Sequence, residues 1–219
     1  MTQIAVIDYG MGNLHSVAKA LQHAGTLKDH KEKLSIQVTA DPKLIKNADR
    51  VLLPGVGAMR DCMGEMQRLE LIDVIKEAAI SKPFLGICIG MQALLSRSDE
   101  NNGVDCLDVF KGQVEHFDKN LNQDGNELKI PHMGWNQVKQ SIAHPLWDGI
   151  EQQQRFYFVH SYVAAPDNES DIAATTEYGQ EFTSALAKDN IFATQFHPEK
   201  SADAGLKLFS NFINWNGQA

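Results

Sequence analysis

Gly86-Ile87-Cys88-Ile89-Gly90 follows an apolar run of strand-like composition, Pro83 to Ile87, and precedes a helix-like run, Met91 to Leu95. A strand that turns sharply into a helix at its nucleophile is a nucleophile elbow, and the residues two away on either side must be small for the chain to fold back. Gly86 and Gly90 meet that requirement. Far downstream, Phe196-His197-Pro198-Glu199 closes a second strand-like run, Ile191 to Gln195. Residues i and i+2 of an extended segment point the same way, so Glu199 is placed to hold one ring nitrogen of His197 while the other faces Cys88. The intervening proline fixes φ and stiffens the pair. The positive end of the helix after Cys88 favours a thiolate, with His197 completing an ion pair. The pattern predicts a Cys-His-Glu hydrolase in which Cys88 attacks, His197 moves protons and Glu199 stays ionised.

Outward from the elbow, strand-like runs at Ile4 to Asp8, Ile36 to Thr39 and Arg50 to Leu53 alternate with helix-like runs at Leu14 to Ala24, Pro42 to Lys46 and Asp61 to Ala79. That alternation predicts a parallel sheet with helices on both faces. Leu14, Val17, Ala18 and Leu21 fall at helical spacing, with Gly25 just past the expected end. The second half turns strand-rich, through Gly112 to His116, Trp135 to Lys139, Phe156 to Val163, Ile172 to Thr176 and Thr183 to Lys188, before a closing helix at Ala204 to Trp215. The expected fold is α/β and three-layered, a mostly parallel sheet flanked by helices with added antiparallel strands, in one domain spanning 1–219. Thr26 to Leu34 and Asp118 to Glu127, polar and without periodicity, read as surface loops.

Composition narrows the function classes. At 219 residues, 43% hydrophobic and 22% charged, the chain suits one soluble domain with a sizeable core. A net charge of −8 offers no basic face to nucleic acid. The N-terminus lacks a charged leader, and no apolar run approaches the roughly 18 residues of a membrane span, so a cytoplasmic location is expected. Cys62, Cys88 and Cys106 are too far apart for a C-x2-C site, which argues against a disulfide framework and zinc, and Cys62 and Cys106 read as small buried hydrophobes. Gly10-Met11-Gly12-Asn13-Leu14 lacks the third glycine of a dinucleotide fingerprint, His15 standing in its place, and no P-loop occurs; no cofactor is expected. His116, His132, His144 and His160 show no paired ligand spacing, so no metal is expected and most read as structural or solvent-facing. For the oxyanion, the N–H of Ile89 is available by position. Gly55, Val56 and Gly57, after the strand ending at Leu53, are the candidates for a second donor because their glycines let backbone approach a ligand.

Taken together, Gly86 to Gln92 and His197-Pro198-Glu199 resemble the class I glutamine amidotransferases. Asp8 to Leu14, Leu53 to Ala58, Pro131 to Asn136, Tyr157 to Tyr162 and Phe196 to Ser201 narrow the resemblance to the glutaminase subunits of imidazole glycerol phosphate synthase. Two departures stand out: Thr26 to Leu34 is longer than the usual connection, and Met59 replaces a common aromatic residue. The resemblance implies that glutamine is cleaved to glutamate and ammonia, which passes to a (β/α)8-barrel cyclase subunit in histidine biosynthesis. It further implies that Gln92, Ser161 and Tyr162 hold the substrate's amino-acid end, with Glu100 at its ammonium, and that Asn13, Met133, Trp135 and Asn136 face the cyclase. Gly55-Val56 is expected to reorient when the acceptor is present. A paralogue serving another synthetase, a stand-alone cysteine peptidase and a catalytically silent regulatory subunit remain as alternatives.

Overall fold

The computed structural model describes residues 1–26, 33–117, 121–123 and 125–218. Its main strands are β1 (Thr2–Ile7), β2 (Leu34–Thr39), β3 (Arg50–Leu53), β4 (Phe84–Ile87), β5 (Gly112–His116), β6 (His132–Gln137), β7 (Arg155–His160), β8 (Tyr162–Pro166), β9 (Ile172–Glu177), β10 (Glu181–Lys188) and β11 (Ile191–Thr194). The helices are α1 (Leu14–Ala24), α2 (Pro42–Asn47), α3 (Met59–Arg68), α4 (Ile72–Ser81), α5 (Ile89–Gln92) and α6 (Ala202–Asn214). In the principal sheet the order β2-β1-β3-β4-β11 is parallel throughout, and β10, β8 and β5 extend it antiparallel. β6 and β7 form a separate antiparallel ribbon.

The parallel block explains itself from the sequence. Ile4 to Ile7, Val51 to Leu53 and Phe84 to Ile87 are continuous buried runs, as strands covered on both faces must be. The β1-to-β2 connection runs one way along the sheet, whereas β2-to-β3 and β3-to-β4 run the other. Because such crossovers are right-handed, α1 falls on one face and α2, α3 and α4 on the other. The packing agrees: α1 lies against α6, and α2 against α4. Val17, Leu21 and Ala24 form the buried stripe of α1, while Leu208, Phe209, Phe212 and Ile213 form that of α6. Arg50 donates to the carbonyls of Phe212 (3.1 Å) and Trp215 (2.7 Å), placing a cation at the C-terminal end of α6 where the helix dipole favours it.

Three expectations need correction. Asp61 to Ala79 forms α3 and α4 rather than one helix, because the chain turns at Glu70, whose φ is 56°. Phe156 to Val163 divides into β7 and β8 at Ser161, so that β7 pairs with β6 and β8 with β5. Within the expected loop Asp118 to Glu127, Asn122–Gln123 pairs with Asn126–Glu127 as a short hairpin, anchored by the Leu128 N–H on the Leu121 carbonyl. The long connection Thr26 to Leu34 lies largely outside the described residues. Among those described, no helix is long and apolar enough to cross a membrane.

One contact fixes α6 beneath the turn that carries Glu199. A Cβ on Gly205 would lie 1.9 Å from the Pro198 carbonyl oxygen, so no larger residue fits. Gly205→Ala should cost about 3 kcal/mol or more through overpacking. Gly64→Ala, on the exposed face of α3 with nothing within 4 Å of the new methyl, should gain up to about 1 kcal/mol from helix propensity. Urea midpoints of the two variants test this; a tolerated Gly205→Ala would refute the packing argument.

Candidate active site

Three neighbouring parallel strands deliver the site at their C-terminal ends, the edge where open α/β sheets hold ligands. β4 pairs with β3 so that Gly86 lies opposite Leu53, and with β11 so that Ile87 lies opposite Thr194. Pro54 to Gly57, Cys88 and Gln195 to Glu199 therefore leave the sheet side by side. Cys88 takes φ 53° and ψ −108°, a conformation that costs a non-glycine residue roughly 1–3 kcal/mol. Its N–H donates to the Thr194 carbonyl at 2.7 Å, and α5 begins at the very next residue. The elbow closes this tightly because a Cβ on Gly90 would stand 1.9 Å from the Leu53 carbonyl oxygen, and one on Gly86 3.0 Å from that of Gly90.

His197 Nδ1 lies 2.8 Å from Glu199 Oε1, with the two side chains 1% and 2% exposed. The imidazole is fixed from its backbone: the His197 N–H donates to the Tyr157 carbonyl, and Ser201 Oγ donates to the His197 carbonyl while accepting from the Tyr157 N–H. Nδ1 being occupied, Nε2 is left for Cys88. Nε2 makes no hydrogen bond of ordinary geometry, but the thiol is near enough to act on the ring's charge, as in resting catalytic pairs that tighten on binding. Burial by itself lowers the imidazole, yet Cys88 and then Glu199 outweigh it and raise His197 to about 10. The arrangement is a buried imidazole held between Cys88 and the carboxyl group of Glu199.

Above Cys88 opens a cavity of about 270 Å³. Val56, Gly57, Cys88, Ile89, Gln92, Glu100, Ser161, Tyr162 and His197 all line it, so the structure unites most of the residues singled out in the sequence. Gly55 lies just beneath, wedged between Tyr9 and Ile89. Glu100 Oε2 accepts the Met59 N–H at 2.8 Å, so this carboxylate caps α3 and fronts the cavity at once. Gln92 is more constrained than its sequence position suggests: its Nε2 donates to the Tyr162 carbonyl (3.0 Å) and to Gln195 Oε1 (2.9 Å).

The residues expected to face a partner stand outside the cavity. Met133 and Trp135 are 61% and 50% exposed on the outer side of β6. Asn13 precedes α1, its carbonyl accepting the Val17 N–H. Asn136 is turned the other way, donating to the Glu177 carbonyl and contacting His132. Sequence reasoning missed Pro131, Val159 and His160 as cavity residues, and Gln195, whose Nε2 reaches Cys88 Sγ at 3.6 Å. The histidines read as structural or solvent-facing divide: His132, His144 and His160 are buried. Among the described residues no cluster of His, Cys, Asp and Glu could hold a metal.

Known proteins resemble this chain in sequence and in fold. The profile of the family described as Glutamine amidotransferase class-I matches residues 5–215, and the chain belongs to that family. Imidazole glycerol phosphate synthase subunit HisH 1 of Pseudomonas aeruginosa is 53% identical over 218 residues, covering 100% of this chain and 99% of that protein. Subunit HisH of Acinetobacter baylyi is 55% identical over 217 residues, 99% of this chain and 100% of that one, which places the chain among the HisH subunits within the class. Among solved structures, the acivicin-bound glutaminase domain of Trypanosoma brucei CTPS aligns with a TM-score of 0.64 at 17% identity, over 99% of this chain and 95% of that one. A glutamine amidotransferase from Thermotoga maritima aligns with a TM-score of 0.58 at 17% identity, over 93% and 78%. At those identities the likeness is one of fold.

Two measurements follow from the electrostatics. Burial pushes the Cys62 thiol up to about 11 and that of Cys106 up to about 12, so one equivalent of iodoacetamide at neutral pH should label Cys88 alone. Comparable labelling of either other cysteine, read by peptide mass, would contradict the site assignment. Burial also holds His132 and His144 down at about 4 and His160 at about 3. Unfolded histidine protonates near 6.5, so the unfolded chain gains protons that the folded one refuses, and stability should fall as pH drops from about 6.5 toward 4. His144→Phe, which cannot take a proton, should flatten that loss between about pH 6.5 and 5; an unchanged slope in urea midpoints would exclude His144 as a source.

Proposed function

We propose that this chain hydrolyses glutamine to glutamate and ammonia at Cys88 and hands the ammonia to a separate (β/α)8-barrel cyclase. As a member of the HisH family it is a glutamine amidotransferase, the glutaminase subunit of imidazole glycerol phosphate synthase in histidine biosynthesis. The observation that carries the residue-level reading is the buried His197–Glu199 pair beside a strained elbow thiol that opens into a cavity. In this reading the substrate's ammonium meets the Glu100 oxygen that α3 leaves over, and its carboxylate meets the Ser161-Tyr162 segment. Both amide hydrogens of Gln92 are already committed, so only its oxygen and stem are offered to the ligand.

The Cys88 thiolate attacks the side-chain amide carbon of glutamine, and the carbonyl electron pair moves onto oxygen. The N–H of Ile89, with a second donor from Gly55, Val56 or Gly57, stabilises that oxyanion. Collapse expels the nitrogen, which takes the proton from His197 and leaves as ammonia. Neutral His197 then deprotonates water as it attacks the thioester, and glutamate departs. Tyr9 donates to the Pro54 carbonyl at 2.7 Å and Cys62 Sγ to that of Val56 at 3.6 Å, which holds the oxyanion segment until Gly55-Val56 reorients in the presence of the acceptor.

Ammonia released into neutral water becomes ammonium, which has no lone pair to attack with. The product is useful only if it travels within protein, so the cyclase docks directly. Met133 and Trp135, large apolar side chains left exposed, suit the centre of that interface, and Asn13 and Asn136 are assigned to it as well. A cytoplasmic location suits a working thiol that must stay reduced.

Glutamate release, measured for the chain alone and with the cyclase and its phosphorylated ribosyl substrate, should rise strongly in the complex and vanish in Cys88→Ala. Full activity without the cyclase would favour an independent hydrolase. Glu199→Gln should lower kcat by about ten- to a hundredfold, the scale of one charge-assisted hydrogen bond. Trp135→Ala should weaken the complex; unchanged affinity and coupled activity would remove this strand from the interface.

A further inference from the structure

His197 is not the only group in contact with the reacting sulfur. Gln195 is fully buried, and its Nε2 donates to Cys88 Sγ at 3.6 Å, an ordinary length when the acceptor is the larger sulfur atom. A primary amide can present either its NH2 or its oxygen, and the oxygen would repel a thiolate. Which one Cys88 meets is decided by the neighbours.

The chain of hydrogen bonds leaves no freedom. A backbone carbonyl only accepts, so the Gln92 atom that bonds the Tyr162 carbonyl at 3.0 Å is its nitrogen, and the same nitrogen gives its second hydrogen to Gln195 Oε1 at 2.9 Å. That turns the Gln195 oxygen away from Cys88 and its nitrogen toward it. The Tyr162 carbonyl also receives the His160 Nδ1–H at 2.8 Å, which makes His160 Nε2 an acceptor for the His132 Nδ1–H at 3.0 Å. His132 Nε2 in turn accepts from Asn136 Nδ2 at 3.3 Å, whose other hydrogen goes to the Glu177 carbonyl at 2.8 Å. Backbone carbonyls at Tyr162 and Glu177 thus pin the direction of every link. Burial keeps both imidazoles neutral, so no extra proton reverses the sequence.

We propose that Gln195 is a further catalytic residue, whose side-chain amide stabilises and aims the Cys88 thiolate, with the Tyr162 carbonyl fixing that amide's orientation through Gln92. The proposal rests on the reading of Cys88 as the nucleophile. His197 supplies a mobile proton and a charge from one side, and Gln195 supplies a fixed dipole from another. The sulfur is then held on the line of attack by the Gln195 hydrogen bond and by the charge of His197. The other titratable groups facing it are Tyr9 and Cys62 from beneath, Glu100 across the cavity, and Glu199 behind His197. None of them can donate as Gln195 does while staying neutral and immobile.

The test is the pH profile of Cys88 alkylation by iodoacetamide, run without glutamine or partner so that it reads the thiol alone. Gln195→Met should slow alkylation by about tenfold near pH 6.5, the scale of one hydrogen bond to a charged group. The rates should converge at alkaline pH, and glutamine turnover should lose kcat with little change in KM. Gln92→Met removes the donor that orients the Gln195 amide; it should show a smaller slowing of the same kind, and none beyond Gln195→Met in the double variant. A Gln195→Met profile that superimposes on that of the unaltered chain, with Cys88 still the labelled residue, would overturn the proposal. Should Gln195→Met not fold, the side-chain amide signals of Gln195 in the 15N-labelled native chain decide: they should move when Cys88 is alkylated, and unmoved signals overturn it. Normal alkylation with no glutamine hydrolysis in the complex would instead defeat the glutaminase reading and leave the Gln195 contact standing.

Discussion

Gly90 approaches the Leu53 carbonyl so closely that a Cβ there would lie 1.9 Å from the oxygen, and from that approach the rest of the site follows. It lets α5 start directly against the end of β3, which forces the chain to reverse within one residue and puts Cys88 at φ 53°. The reversal lifts the thiol out of the sheet between the segments that leave β3 and β11. One of these carries the oxyanion candidates and the other carries His197 and Glu199. The cost of the strained residue is met by the pairing of β4 with both neighbours and by the Cys88 N–H on Thr194. Backbone geometry, not side-chain chemistry, is what brings three remote stretches of chain to one point.

What sets two buried histidines of this pocket apart is their partners, since burial acts on both alike. His197 and His160 are both buried and both line the cavity, yet one is raised to about 10 and the other lowered to about 3. For both, desolvation is the largest single cause and acts downward. His197 escapes because Cys88 and Glu199, on either side of its ring, both favour its charged form. His160 has only a carbonyl on one nitrogen and a second imidazole on the other, neither of which rewards protonation enough. The same residue type is therefore a protonated ring beside Cys88 and, in the same cavity lining, a neutral spacer whose two nitrogens have opposite roles.

How much of this was legible beforehand depends on how local the governing physics is. The elbow and the His-Pro-Glu segment declare themselves because small residues at fixed spacing and a stiff two-residue offset are local requirements. The parallel block is legible for a similar reason, since strands buried on both faces need unbroken apolar runs. The break between α3 and α4 is not legible: Leu69, Leu71 and Ile72 carry the apolar pattern straight through, and a glutamate at Glu70 gives no sign of its left-handed φ. Nor is the division at Ser161, where the alternation of Phe156, Phe158 and His160 continues into a strand that pairs elsewhere. Gln195 is the extreme case. A polar residue closing a strand looks unremarkable in one dimension, and its meaning comes from Gln92 and Cys88, both more than a hundred positions away.

The ribbon strand β6 shows what such distant contacts can join. Its side chains alternate about one backbone, so Met133 and Trp135 look outward while His132 and Asn136 look in. The exposed indole is thus the immediate chain neighbour of the amide at which the hydrogen-bond sequence from Cys88 ends. An outward face that is large and apolar is unfavourable in water unless something covers it. An inward face of buried amide and imidazole is tolerable only if every polar atom finds its partner, since an unpaired one costs far more than a paired one returns. β6 therefore cannot be altered on one side alone. A substitution that repacks the outer residues by shifting the strand must also break a fully satisfied polar sequence within, and one that disturbs the inner residues displaces the surface that a partner would meet.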